Sequence, residues 1–77
     1  MSVTVKYFAS LREELGAPGA EIEAEQGLDV CLVWRRATGR EALPANLLAA
    51  VNHEYADGDH PVRDGDEVAF FPPVTGG

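Results

Sequence analysis

One stretch of this sequence carries a sustained helical repeat, and the rest of the chain has to be arranged around it. Val30, Val33, Trp34 and Ala37 recur at i, i+3, i+4 and i+7, which draws one apolar stripe along a helix over about residues 30–38. Asp29 stands where an N-cap belongs, because its carboxylate can accept an amide hydrogen from the first turn. Arg35 and Arg36 lie off the stripe, and Arg40 follows Gly39. Trp34 is the expected core anchor. A chain of 77 residues makes one domain, so its other segments must supply the surface that buries this stripe.

Those segments read as short strands. Val3, Val5 and Tyr7 alternate with Thr4, Lys6 and Phe8, giving a strand over residues 2–8 with one apolar face. Residues 9–15 turn helical, with Leu11 and Leu15 four apart and Ser10 and Glu13 at capping-box spacing, and the 16–19 stretch (Gly-Ala-Pro-Gly) ends that turn. Residues 20–24 alternate again and can pair hairpin-like with the first strand. Residues 41–46 form a connector. Residues 47–52 are apolar on both faces, which predicts a strand inside the sheet. Residues 53–56 continue that strand or begin a short fourth. Asp-Gly-Asp at 57–59 and at 64–66 are turn signals on either side of His60, Pro61 and Val62. Glu67 to Phe71 is the last strand. The expected architecture is α+β, a mixed sheet of four to five strands packed on one main helix.

Alternation also predicts an outer surface. If Val3, Val5 and Tyr7 face the helix, Phe8 faces away; if Val68 and Phe70 face it, so does Phe71 face away. Phe8 and Phe71, joined by Tyr55, would form an aromatic docking patch on the uncovered side. The chain leaves the last strand through Pro72 and Pro73, which cannot continue a ladder, and runs through Val74 and Thr75 to Gly76 and Gly77. Residues 1–71 are therefore expected to be the folded domain and 72–77 a flexible tail. Two glycines fit a channel too narrow for any side chain, and the chemically special group at that end is the carboxylate of Gly77.

The remaining chemistry narrows the function. Thirteen acids against six bases give a formal charge of −7, which disfavours nucleic acid and anionic membranes and favours partners with basic docking surfaces. No run approaches a membrane span or a secretion signal, so the expected location is cytoplasmic. A lone cysteine makes no internal disulfide, and no zinc spacing is present. His53 and His60 lie among Asp57, Asp59, Asp64 and Asp66 without the calcium-loop pattern, so no metal is expected. Cys31 reads as an inert half-buried thiol, with a persulfide carrier as the alternative. There is no catalytic constellation and no phosphate loop. A terminal carboxylate, with a pKa of about 3.5, is anionic at neutral pH and resists nucleophiles. Activation, for example as an acyl-adenylate, must come from a separate enzyme that uses ATP.

The stretch Leu-Leu-Ala-Ala-Val-Asn at 47–52, Asp-His-Pro-Val at 59–62 and above all residues 64–77 (Asp-Gly-Asp-Glu-Val-Ala-Phe-Phe-Pro-Pro-Val-Thr-Gly-Gly) closely resemble the small, sulfur-carrier subunit of molybdopterin synthase in the MoaD/ThiS family. Residues 5–9 and 11–13 fit as well, and the likeness is loosest over 16–46. The resemblance implies a ubiquitin-like β-grasp fold and no bound cofactor. It implies that Gly77 is adenylated by a relative of ubiquitin-activating enzymes and then thiocarboxylated by a sulfur donor. The tail would enter the large synthase subunit and give sulfur to cyclic pyranopterin monophosphate, in a heterotetramer of two carriers on a dimer of large subunits. That subunit would supply the catalytic site. Carried-over positions are Gly77 as sulfur bearer, Thr75 and Gly76 as threaded tail, and Phe8, Phe71 and Pro72 as docking surface; Tyr55, Pro73 and Val74 are expected to bind the partner beside them. Two alternatives share the Gly-Gly end: a carrier for thiazole or tRNA thiolation, and a ubiquitin-like protein modifier. Lysine-linked self-chains are not expected, because Lys6 is the sole lysine and lies in a strand.

Overall fold

The computed structural model describes residues 1–73; Val74, expected to bind the partner, Thr75 and Gly76, expected to form the threaded tail, and Gly77, the expected sulfur bearer, lie outside them. The elements run β1 (Ser2–Tyr7), α1 (Ser10–Leu15), β2 (Gly19–Glu23), α2 (Val30–Thr38), β3 (Leu48–Val51), β4 (Glu54–Ala56) and β5 (Glu67–Phe71). One mixed sheet has the order β2-β1-β5-β3-β4. The two central strands are parallel, with Val5 opposite Val68 and Tyr7 opposite Phe70. Every other pairing is antiparallel, including the β1–β2 pair expected from the alternation. Five strands on one main helix is the predicted architecture.

The stripe of α2 goes where its period requires. Val30, Val33 and Trp34 are fully buried against Val3, Val5, Val68 and Phe70. Trp34 meets Phe70 edge to face, with ring centroids 5.1 Å apart, and its indole N–H donates to the carbonyl of Ala42 at 2.9 Å. The large ring thus fills the core while its polar edge ties down the connector after the helix. Burial also pushes the Tyr7 phenol above its ordinary pKa. Asp29 caps α2 as its position predicts: Oδ1 accepts from the Leu32 amide at 2.8 Å. Two further amides that a helix start leaves open are used by the 58–62 segment. Val30 N–H donates to His60 and Cys31 N–H to Gly58, at 3.1 and 2.9 Å.

One expectation needs correction and two are sharpened. Ser10 and Glu13 form no capping box: Ser10 is already the first helical residue, the N-cap is Ala9 at φ 55°, and no side chain caps it. The cause is strand pairing, because Phe8 N–H still donates to the Phe70 carbonyl at 3.1 Å, so the chain turns into α1 one residue late. Of the two courses expected for residues 53–56, the short fourth strand is the one taken. Asn52 and His53, at φ 50° and 72°, make a two-residue hairpin turn, and β4 returns beside β3. Finally, β3 does lie inside the sheet, yet only one of its faces is buried. Ala49 and Val51 point into the core, whereas Leu48 on the other face is about a third exposed.

Candidate functional site

The face of the sheet away from α2 is assembled by register. Leu48 lies opposite Phe71, Ala50 opposite both Ala69 and Tyr55, and Ala69 opposite Lys6. Phe8 follows β1, and its N–H donates to the Phe70 carbonyl at 3.1 Å, near the end where β5 stops. Phe8 is 46% exposed and Tyr55 78%, and the Tyr55 and Phe71 rings lie 5.9 Å apart. Tyr55 and Phe71, two of the expected trio, therefore share one face, while Phe8 is exposed at the end of β1 beside β5. Small side chains at Ala50 and Ala69 leave the rings proud of the sheet. Leu48 belongs to the same patch and was not singled out in the sequence; its signal was the apolar character of both faces of β3.

Pro72 and Pro73 part from this patch. Pro72 is half-buried and lines a cleft of about 200 Å³ with Leu11, Trp34 and Leu47, on the helix side, while Pro73 is exposed. The chain thus leaves β5 from a point flanked by the aromatic patch on one side and the Trp34 cleft on the other.

Polar groups frame the other end of the face. Lys6 Nζ lies 3.4 Å from Glu67 Oε1. Asp66 accepts from the Asn52 amide at 3.0 Å and from the Arg63 N–H at 2.8 Å. These two bonds, the Asn52 contact first, hold the Asp66 carboxyl below its usual range. Asp66 is thereby a turn residue already engaged within the protein. Among the described residues no three His, Cys, Asp or Glu side chains are grouped to hold a metal ion, and no helix is long and apolar enough to cross a membrane. Cys31 is half-buried beside Gly58, on the wall of a groove of about 590 Å³ that Leu43, Leu47 and Tyr55 also line.

Among the described residues the feature that stands out is a binding surface: exposed aromatic side chains stand beside β5, the strand that precedes Pro72 and Pro73. Comparison with known proteins gives this arrangement its setting. The ThiS family profile matches residues 5–77. The molybdopterin synthase sulfur carrier subunit of Escherichia coli is 45% identical, over 97% of this chain and 99% of its own. The human protein of the same name is 32% identical, over 97% of this chain and 93% of its own. Among solved structures, SAMP1 from Haloferax volcanii superposes with a TM-score of 0.83 at 26% identity, each chain covered completely. A putative molybdopterin converting factor subunit 1 from Pyrococcus furiosus gives 0.75 at 30% identity, with 96% of this chain and 99% of that chain covered. The fold is the ubiquitin-like β-grasp. The chain belongs to the ThiS/MoaD family of sulfur-carrier proteins.

Proposed function

We propose that this protein carries sulfur on the carboxylate of Gly77 for molybdenum cofactor biosynthesis. The observation that supports it most is the near full-length match to sulfur carrier subunits of molybdopterin synthase, in a family whose profile runs through residue 77. An anionic carboxylate is a poor electrophile, so a ubiquitin-activating-enzyme-like adenylyltransferase first joins it to AMP, releasing pyrophosphate from ATP. A persulfide donor then displaces AMP to form an acyl disulfide, and a second thiol cleaves its S–S bond, leaving the thiocarboxylate on Gly77 and a disulfide on the donor side. In the large synthase subunit the thiocarboxylate sulfur attacks cyclic pyranopterin monophosphate, and hydrolysis of the acyl–sulfur bond returns Gly77 as a carboxylate. Two sulfurs are needed for one dithiolene, so each pterin consumes two charged carriers.

In this reading Thr75 and Gly76 thread the tail, residues 1–71 serve as its handle, and the chain binds no cofactor of its own. Phe8, Tyr55, Phe71 and Leu48 dock the partner, with Pro72, Pro73 and Val74 guiding the exit. A solved complex of subunits 1 and 2 of the molybdopterin-converting factor from Helicobacter pylori supports such docking: this chain matches a chain of it with a TM-score of 0.67 at 26% identity, both covered completely. The assembly proposed is a heterotetramer in the cytoplasm, with neither nucleic acid nor membrane as partner. The test is reconstitution with purified large subunit and thiocarboxylated carrier. Wild type should convert the pterin precursor, and a carrier lacking Gly77 should fold normally and convert none.

A second reading is favoured by the likeness to SAMP1, a small archaeal modifier protein, in which the activated Gly77 would be joined to an amine of another protein. The two readings part at the mass of the product. A carrier gains sulfur and loses it again, whereas a modifier appears as a covalent adduct.

A further inference from the structure

β4 is a three-residue edge strand, paired along one side only, and Tyr55 at its centre is mostly exposed. A strand this short has little packing of its own to fix its position. Something outside it must decide where the Tyr55 ring stands. Resting on the carrier reading above, we propose that Asn52 is a positioning residue: by pinning the β3–β4 turn to the start of β5, it holds Tyr55 against Phe71 and sets the shape of the face offered to the large subunit.

The pin is a set of hydrogen bonds from one residue. Asn52 N–H donates to the Glu67 carbonyl at 2.8 Å, its Oδ1 accepts from the Glu67 N–H at 3.0 Å, and its Nδ2 donates to Asp66 Oδ1 at 3.0 Å. Asp66 is itself fixed through its other oxygen to the Arg63 N–H at 2.8 Å. The hairpin turn, the 63–66 turn and the first residue of β5 are thereby one hydrogen-bonded unit. From Glu67 that unit continues along β5 to Phe71, and from Asn52 it continues through the turn to Tyr55, so the two rings are the far ends of a single rigid clasp. Backbone geometry alone does not call for asparagine here. Its φ of 50° lies in the left-handed region, where glycine sits without strain. Glycine would meet the turn's need and lose only the two side-chain bonds. The side chain is accounted for by its links to Asp66 and Glu67.

That separation supplies the test. Asn52→Gly keeps the turn and removes the pin; Tyr55→Ala removes the group the pin is proposed to hold. Affinity for the purified large subunit is measured by calorimetry for wild type, each single variant and the double variant, alongside proton NMR contacts between the Tyr55 and Phe71 rings. Asn52→Gly should weaken binding about threefold to tenfold, the worth of one ordinary hydrogen bond, and should lose the ring contacts. In the Tyr55→Ala background it should change nothing, because the two residues act through one interaction. Equal losses in both backgrounds, or undisturbed ring contacts in Asn52→Gly, would overturn the proposal. Should Asn52→Gly unfold, Asp66→Ala cuts one side-chain bond of the same pin with the turn sequence intact, and the same readouts decide. If wild type fails to bind the large subunit, the carrier reading falls, while the ring contacts still decide whether Asn52 positions Tyr55.

Discussion

The Asp66 carboxylate accepts from the Asn52 amide and from the Arg63 N–H, and both bonds favour its charged form. Its folded pKa is therefore below the ordinary 3.8. A group depressed in the folded state adds stability above its unfolded pKa and loses that contribution as pH falls through the folded value. Below about pH 4 the thermal midpoint of wild type should drop more steeply than that of Asp66→Asn, which has no charge to lose. Parallel acid limbs would show that the bonds contribute nothing. At this scale the sequence was partly legible. Asp29 and Trp34 are where their spacing placed them, since a cap and a buried ring follow from helical period alone. Asp66 was read as a turn residue, correctly, but its bond to Asn52 joins positions fourteen apart and no local pattern announces it.

Among the elements, α2 was readable because stripe, cap and terminating Gly39 agree, and its span of Val30–Thr38 matches the period. The start of α1 was misplaced because a tertiary bond, Phe8 to Phe70, outweighed a local capping motif. The place of β3 inside the sheet was legible, but the role of its outer side was not: an apolar strand face looks the same in sequence whether a helix covers it or it stays open. The start of α2 makes its own prediction. A Cβ on Gly58 would stand 2.5 Å from Cys31 Sγ, so the 57–59 turn closes on the helix only because that side chain is absent. Gly58→Ala should destabilise the protein by about 1–3 kcal/mol in urea unfolding, and Cys31→Ala should recover most of the loss. An additive pair would show that the turn relaxes in some other direction.

For the molecule as a whole, sequence pattern indicated which residues share a face, and the structure adds how that face meets Pro72 and Pro73, where the chain leaves β5. Acidic residues crowd the segment 54–67, where Glu54, Asp57, Asp59, Asp64, Asp66 and Glu67 are accompanied by a single lysine or arginine, Arg63. A partner surface that is apolar at its centre and basic at its rim would complement this arrangement. Phe71→Glu should therefore reduce affinity for the large subunit by at least about tenfold, the scale of a lost aromatic anchor, while unfolding shifts by less than about 1 kcal/mol. A collapsed fold would mean that Phe71 belongs to the core. The central claim is that the globule is a handle for one acyl group, and intact mass spectrometry reaches it most directly. After incubation with the activating enzyme, ATP and a sulfur donor, the protein should gain about 16 Da, the exchange of oxygen for sulfur at an activated carboxylate, and the Gly77 deletion should gain nothing. An unchanged wild-type mass, or the same gain without Gly77, would contradict the account.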